Sequence, residues 1–270
     1  MKPFRVLDPN FPERIARGVC ALAVMTKVPQ AGRVKTRLVP PLTPEEAAEL
    51  NRCFLQDTAT AIAIACSCRP AGDVSKMQFE HAGASRSVAA AGACGIAVYT
   101  PIGAESAYSG ILPTDFSLLP QRGDKFGERL YFAVEDLFKC GFDSVCLIDS
   151  DSPTVPAENF AEAVELLRAS NDRVVLGPSD DGGYYLIGVK KPHRHLFEEI
   201  DWSTERVLNQ TIEHATQMGL EVQLLPTGYD VDDGASLHRL CNALLPDTTW
   251  ADIAPHTRRF LANLTARKML

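Results

Sequence analysis

The length, composition and charge of the chain describe an ordinary globular protein. It has 270 residues, of which 46% are hydrophobic and 23% are charged, so it is long enough to bury a sizeable core. The formal net charge of −7 argues against a general nucleic-acid or membrane-surface binder. No stretch approaches the length of a membrane span, and no apolar signal core follows Lys2 and Arg5, so we expect a cytoplasmic protein.

Short apolar runs alternate with longer amphipathic segments along the chain. The pattern predicts strands at 18–26, 74–79, 95–99, 144–148, 173–177, 184–189 and 221–225. It predicts helices at 44–66, 85–91, 124–139, 156–169, 203–218 and 235–244. Residues 100–123 carry Gly, Pro and Ser with little periodicity and are predicted to be a loop.

Residues at the predicted helix ends support these assignments. Thr43 and Ser203 are expected N-caps, and Gly141 and Gly219 are expected to end the helices that precede them. The alternation of strands and helices predicts a mostly parallel sheet with helices on both sides. We expect one domain over 18–245, an N-terminal extension at 1–17 and a C-terminal tail at 246–270.

The most informative segment is 145–153 (VCLIDSDSP), where an apolar run ends in Asp149 and Asp151. Ligands of open parallel sheets bind outside the carboxyl ends of the strands. Alternate residues of an extended chain point the same way, so both carboxylates could face one divalent cation. The alternative is that Asp151 only caps the next helix, which Pro153 or Pro156 would help to start. Residues 149–153 are called the first acidic turn below.

A basic loop follows the first long strand at residues 27–38 (KVPQAGRVKTRL). It holds Lys27, Arg33, Lys35 and Arg37 and no acidic residue, although the protein is acidic overall. Lys supplies a point charge and Arg a bidentate fork, a combination suited to a di- or triphosphate, and Gly32 permits close approach of the backbone to a ligand. The glycine spacing is not that of a P-loop or of a dinucleotide fingerprint. A solvated basic loop is the alternative.

Two further acidic turns flank predicted strands. The second acidic turn (residues 180–183, DDGG) precedes the strand at 184–189, and its Gly182 and Gly183 permit positive φ. The third acidic turn (residues 228–234, GYDVDDG) follows the last predicted strand. Taken separately, the first of these is a hairpin turn and the other a helix N-cap at Asp233. Together with the basic loop, they predict a site where a divalent cation bridges phosphates.

These motifs, in their order, resemble a known family. A strand followed by GxxKTRL, SDSP, DGGYYLIG, WST and DVD is similar to DUF2064, also called the radical-SAM/selenodomain-associated transferase 1 family, of the nucleotide-diphospho-sugar transferase superfamily. The similarity covers roughly 20–240. It implies a Rossmann-like GT-A fold, a three-layer α/β/α sandwich, that binds a nucleotide and Mg2+ or Mn2+.

The resemblance also implies roles for individual residues. The nucleotide phosphates would bind to Gly32, Lys35 and Arg37, with Lys27 and Arg33 in the same loop. Asp151 would be the main metal ligand and Asp232 the second. The acceptor or sugar side would be shaped by Asp181, Gly182 and Gly183, near Trp202, Ser203 and Thr204. We take Asp151 and Asp181 as the catalytic candidates.

One position departs from the family pattern. The family usually has a small residue where this chain has Asp149, so the segment here becomes D-x-D, the pattern of metal-dependent glycosyltransferases. Asp149 is therefore either a further metal ligand or a residue hydrogen-bonded deeper in the sheet.

The expected function is metal-dependent transfer from a nucleotide-activated substrate to a small-molecule acceptor, with glycosyl transfer from an NDP-sugar as the first choice. The alternative is nucleotidyl transfer, because the KTRL loop is similar to that of phospholactate guanylyltransferases. A haloacid-dehalogenase-type phosphatase fits poorly, since Pro153 stands where that pattern needs Thr or Val. A non-catalytic nucleotide or phosphosugar sensor is a further alternative.

Overall fold

The computed structural model describes residues 3–12, 15, 17–67, 92–245 and 253–268. The strand predicted at 74–79 and the helix predicted at 85–91 lie outside these residues. The strands are β1 (Arg5–Val6), β2 (Cys20–Lys27), β3 (Ala93–Thr100), β4 (Ser117–Pro120), β5 (Ser144–Ile148), β6 (Arg173–Pro178), β7 (Tyr184–Val189) and β8 (Glu221–Leu224). The helices are α1 (Pro44–Ser67), α2 (Phe126–Lys139), α3 (Ala157–Leu167), α4 (Val207–Gln217), α5 (Gly234–Leu244) and α6 (Pro255–Lys268).

Within the described residues the strands form one sheet in the order β1-β4-β3-β2-β5-β7-β6-β8. Every neighbouring pair is parallel except those of β7, which runs antiparallel to both β5 and β6. The link between β6 and β7 is only the short segment 179–183, and parallel strands need a crossover of a dozen residues or more. The reversal of β7 therefore follows from the length of its connection.

Helices cover both faces of the sheet. On one face, Leu55 and Ile62 of α1 and Phe160 of α3 pack against the sheet. On the other face, Val134 of α2 and Ala215 of α4 belong to a second core cluster. The predicted Rossmann-like three-layer α/β/α architecture with a mostly parallel sheet is confirmed.

A third cluster joins distant parts of the chain beside α1. Leu38, at the end of the basic loop, and Val231, in the third acidic turn, are both fully buried in it together with Leu50 and Phe54 of α1. Leu261 of α6 belongs to the same cluster. Burial of these apolar side chains fixes the basic loop against the third acidic turn.

The helix ends agree with expectation at three of four positions. Thr43 Oγ1 accepts a 3.1 Å hydrogen bond from the backbone N–H of Glu46, whose carboxylate accepts one of 2.9 Å from the backbone N–H of Thr43. Gly141 and Gly219 have φ of 100° and 67°, as expected for residues that end helices. The N-cap prediction at Ser203 is wrong, because α4 begins at Val207 and Ser203 itself has a left-handed φ of 66°.

The predicted loop at 100–123 was also partly wrong, since it contains β4. This strand is only four residues long and is fixed by pairing with β3 and β1, so it leaves little periodicity in the sequence. No helix among the described residues has both the length and the apolar content that a bilayer crossing requires.

Candidate functional site

The basic loop and the three acidic turns meet at one edge of the sheet. The loop follows β2 and the first acidic turn follows β5, and these strands are parallel neighbours whose carboxyl ends lie together. The backbone N–H of Val231 donates to the carbonyl of Asp151 at 3.0 Å, which joins the third acidic turn to the first. The N–H of Asp180 donates to the carbonyl of Gly228 at 3.1 Å and joins the second turn to the third.

Lys35 connects the basic loop to two of the acidic turns. Its Nζ lies 3.0 Å from Oδ1 of Asp151, 2.7 Å from Oδ1 of Asp232 and 2.8 Å from the carbonyl oxygen of Val231. Only 4% of the Lys35 side chain is exposed. Burial by itself lowers the pKa of Lys35, but the two carboxylates outweigh it and hold this pKa above its usual value. The ammonium is therefore charged and sits between the two aspartates.

The other basic residues of the loop are more exposed. The guanidinium of Arg37 lies 2.6 Å from Oδ2 of Asp232, while 73% of the Arg37 side chain faces solvent. Nζ of Lys27 donates to the carbonyl of Arg33 at 3.3 Å, so these two residues hold the shape of the loop. Gly32 has a φ of 70°, a conformation that glycine adopts without strain.

Asp149 and Asp151 have different surroundings. Oδ1 of Asp149 accepts from the backbone N–H groups of Asp151 and Ser152 at 3.3 and 3.2 Å, and its Oδ2 accepts from Ser152 Oγ at 2.8 Å. Burial of the carboxyl, and next the negative charge of Asp151, raise the pKa of Asp149 to about 8. Asp149 thus stabilises the turn, while Asp151 faces Lys35.

The donor chemistry of Asp151 and Asp232 fits a divalent cation. In the part of the chain that the structure describes, no group of three His, Cys, Asp or Glu side chains is spaced to hold a metal ion. Mg2+ in nucleotide sites is commonly held by one or two carboxylates, with phosphate oxygens and water completing the shell. A pair of carboxylates beside a loop of four basic residues meets that requirement. The assignment of Asp149 as a further ligand stays a prediction.

A cavity of about 770 Å³ opens beside this cluster. Its wall combines carboxylates with two arginines and several aromatic rings. The charged and aromatic residues that line it are Arg37, Phe126, Asp149, Asp180, Asp181, Tyr184, Tyr185, Trp202, Glu205, Asp230, Asp232, Asp233 and Arg239. The predicted residues Gly183, Ser203 and Thr204 line it as well.

A smaller cavity of about 290 Å³ lies on the other side of Arg37 and Asp232, which line both. Its walls come from the basic loop, the first and third acidic turns and α1. The residues are Lys27, Val34, Lys35, Thr36, Arg37, Asn51, Ser150, Asp151 and Asp232. The site therefore has a cationic compartment and a larger acidic one that meet at a single ion pair.

The second acidic turn is packed against the start of α4. Gly182 has a φ of 89°, and a Cβ added there would lie 2.3 Å from the carbonyl oxygen of Glu205. The Gly182 carbonyl accepts a 2.9 Å hydrogen bond from the backbone N–H of Leu208. Oδ1 of Asp181 accepts from the N–H of Gly183 at 2.8 Å. The DDGG segment is thus a hairpin turn and a wall of the large cavity at once.

The three carboxylates of the third acidic turn have different surroundings. Asp232 binds Lys35 and Arg37, as described above. Asp233 caps α5, since its Oδ1 accepts from the backbone N–H of Ser236 at 2.8 Å. Burial, and then the charges of Asp181 and Asp232, raise the pKa of Asp230 to about 6.

Three residues of the site were not singled out by the sequence. Asn51 is a buried polar residue of α1, and its place on the mostly apolar buried face of that helix was a usable signal. Ser150 lies between Asp149 and Asp151 and lines the smaller cavity. Arg239 forms an ion pair with Asp180 and lies 3.8 Å from the ring centroid of Tyr229, a placement that only the tertiary structure shows.

The three-layer fold, with its cavities at the carboxyl edge of the sheet, defines a Rossmann-like protein of the GT-A type. Residues 84–204 match the family described as "Uncharacterized protein conserved in bacteria (DUF2064)". This match confirms the resemblance seen in the motifs. No curated protein sequence matches the chain.

Several solved structures are similar to this chain. A crystal structure from Desulfovibrio desulfuricans G20, provisionally named a nucleotide-diphospho-sugar transferase, has 28% sequence identity and a TM-score of 0.73, and the match covers 92% of this chain and 96% of that one. A 4-diphosphocytidyl-2C-methyl-D-erythritol synthase from Anaerococcus prevotii DSM 20548 has 11% identity and a TM-score of 0.48, with 85% and 97% covered. Glucosyl-3-phosphoglycerate synthase from Mycobacterium tuberculosis, in complex with Mn2+, uridine diphosphate and glucosyl-3-phosphoglycerate, has 11% identity and a TM-score of 0.43, with 92% and 79% covered.

Proposed function

We propose that the protein is a transferase that uses a nucleotide-activated substrate and a divalent cation, Mg2+ or Mn2+, and that it transfers a glycosyl group from an NDP-sugar to a small-molecule acceptor. The observation that carries this proposal is the cluster of Lys35, Asp151 and Asp232, which lines the smaller cavity and reaches the larger one through Asp232. A nucleotide bound there would place its phosphates in the cationic compartment and its transferred group in the larger one.

The residues of the basic loop would bind the phosphates. Arg37 offers an exposed guanidinium at the junction, and Lys27 and Lys35 line the smaller cavity. Gly32 and Arg33 shape the same loop. Asp151 and Asp232 would hold the cation, and Asp149 would be a further ligand. When bound, the cation neutralises the charge that develops on the departing diphosphate.

The acidic compartment supports an acceptor with hydroxyl groups rather than phosphates. Its carboxylates outnumber its two arginines, and a phosphorylated acceptor would be repelled by them. Asp181 has a carboxylate on this wall, and we assign to it the acceptance of the proton that leaves the attacking hydroxyl. Gly182 and Gly183 allow the turn that presents this carboxylate. These features support glycosyl transfer.

Nucleotidyl transfer is the second candidate, favoured by the basic loop. Four cations within one loop suit a triphosphate better than a diphosphate. In this reaction a phosphate oxygen of the acceptor would attack the α-phosphorus of the nucleotide, and pyrophosphate would leave.

The test is ligand-induced stabilisation followed by product analysis. The melting temperature is measured with nucleoside triphosphates, NDP-sugars and NDPs, each with Mn2+ and with EDTA, because a ligand of the native state raises it by mass action. Mn2+-dependent stabilisation by one NDP-sugar, with release of the NDP on addition of an acceptor, supports glycosyl transfer. Stabilisation by one triphosphate, with release of pyrophosphate, supports the second candidate instead. Tight binding without turnover of any ligand indicates a sensor, and no stabilisation contradicts the proposal.

A further inference from the structure

The Lys35 ammonium is fully coordinated by the protein. An ammonium has three N–H donors, and Nζ has three acceptors at 2.7, 2.8 and 3.0 Å, on Asp232, Val231 and Asp151. No donor remains for a phosphate in this conformation. If Lys35 is to bind a nucleotide, its ammonium must first leave this position.

The same position is the one that a cation held by Asp151 and Asp232 would take. Both carboxylates direct an Oδ1 atom at Nζ, so a metal ion bound by those two atoms would occupy the space of the ammonium. Two positive charges cannot share that space, because their repulsion at such a distance is large. The cation and Lys35 therefore compete for one pair of carboxylates.

The backbone of Lys35 supports this interpretation. Its φ is 48° and its ψ is 38°, a left-handed conformation that is unfavourable for residues with a side chain. Strained backbone of this kind is typically kept at functional sites by the surrounding contacts. Here those contacts are the two hydrogen bonds of Nζ, to Val231 and Asp232, and its ion pair with Asp151, all at the end of the same side chain.

We propose that the Lys35 ammonium is a displaceable internal cation: it neutralises Asp151 and Asp232 before ligands bind, and it turns to the phosphates when the divalent cation takes its place. This inference rests on the proposed function for the metal and the phosphates. It makes Lys35 a positioning residue that couples the two binding events. Free metal must displace a buried charge and binds weakly, whereas metal and a diphosphate together offer that charge a new partner and bind cooperatively.

The experiment measures binding of Mn2+ alone, by the loss of the free-ion signal in electron paramagnetic resonance. Lys35→Met removes the charge and keeps an unbranched side chain, and Lys35→Gln removes it and keeps a donor for Asp232. We expect both variants to bind Mn2+ about ten-fold or more tightly than the wild type, since a like charge leaves the site. The double variant Lys35→Met/Asp232→Asn should lose this gain.

Arg33→Met is the matched control. Arg33 belongs to the same loop, so its loss changes the charge of the loop equally. Its backbone carbonyl accepts from Lys27, and the substitution to Met keeps that carbonyl. We expect little change in Mn2+ affinity for this variant. An equal gain in Arg33→Met would mean a general field effect of the loop and would overturn the inference. So would unchanged or weaker Mn2+ binding in folded Lys35 variants.

A second readout guards against poor folding. Without metal, the Lys35 variants leave two carboxylates facing each other, so their melting temperature in EDTA should fall below that of the wild type. Saturating Mn2+ should restore it by a larger shift than in the wild type. Nucleotides take no part in these measurements. A gain in Mn2+ affinity in the Lys35 variants, without stabilisation of the wild type by any nucleotide, would therefore support the inference and contradict the proposed function. Stabilisation by a nucleotide without that gain would support the proposed function and contradict the inference.

Discussion

Lys35 donates a 2.7 Å hydrogen bond to the carboxylate of Asp232, a residue 197 positions further along the chain. The contact exists because Leu38 and Val231, close neighbours of these two residues in sequence, are buried in one apolar cluster beside α1. The core thus sets the distance between the positive and the negative half of the site. Both the proposed function and the role inferred for Lys35 depend on this contact.

The first prediction concerns Asp151. The variant Asp151→Asn keeps the shape of the side chain but loses the charge that a divalent cation needs. We expect Mn2+-dependent nucleotide binding to weaken by at least about 100-fold, since loss of an outer-shell partner alone costs up to that factor. Isothermal titration calorimetry with and without Mn2+ measures the effect. Asp115→Asn, at an exposed aspartate away from both cavities, is the control and should bind as the wild type does. Unchanged Mn2+ dependence in the Asp151 variant would refute the metal assignment.

The second prediction compares two glycines with positive φ. Alanine at Gly219, where φ is 67° and nothing lies within 4 Å of the added Cβ, incurs only backbone strain of about 1–2 kcal/mol. Alanine at Gly182 incurs a similar strain and also meets the backbone of Glu205 at 2.3 Å. We therefore expect Gly182→Ala to lower the free energy of unfolding by about 1 kcal/mol or more beyond Gly219→Ala. Urea denaturation of both variants measures the difference, and equal losses would show that the turn can move away from α4.

The third prediction is a pH dependence caused by Asp149. Its pKa is raised from 3.8 to about 8, so the folded chain holds this proton more tightly than the unfolded chain does. The contribution to stability is full below pH 3.8 and is lost as the pH rises towards about 8. Its slope reaches about 1.4 kcal/mol per pH unit.

Asp149→Asn cannot ionise and tests this dependence directly. The variant should show a flatter stability profile than the wild type and should be the more stable of the two near pH 8. Denaturant midpoints measured in EDTA from about pH 5 to pH 8 give the comparison. Parallel profiles for the two proteins would show that the carboxyl of Asp149 is ionised in the folded state.

The fourth prediction concerns the docking of α6. Asp57 of α1 is buried, and its two carboxylate oxygens accept from the backbone N–H groups of His256 and Thr257 at 3.0 and 2.8 Å. It therefore caps the first turn of α6 from another helix. Asp57→Ala leaves both donors without their acceptor and should cost about 1–3 kcal/mol.

Hydrogen exchange of the α6 amides and urea denaturation measure this loss together. Glu49→Ala is the control on the same helix, because its ion pair with Arg52 is exposed and worth less than about 1 kcal/mol. Faster exchange confined to α6 is the expected pattern for Asp57→Ala. Protection equal to that of the wild type would show that apolar contacts such as that of Leu261 hold the helix without the cap.

Much of the fold could be predicted because its signals are local. The strands at 144–148 and 184–189 were predicted with their observed bounds, and Thr43 was identified as a helix cap. The misses share one cause. The strand β4 is fixed by its partners β3 and β1, and Ser203 belongs to a turn before α4, so in both places tertiary contacts override local preference.

The sequence by itself determined the layer architecture and the four segments that carry the charged residues of the candidate site, because hydrophobic periodicity and strand ends are local properties. Only the tertiary structure decided which charges meet. Lys35 forms ion pairs with Asp151 and Asp232. Asp149 accepts a hydrogen bond from Ser152, and Arg239 forms an ion pair with Asp180. Those pairings depend on the order of the strands and on a shared core between distant segments, and neither can be read from spacing along the chain.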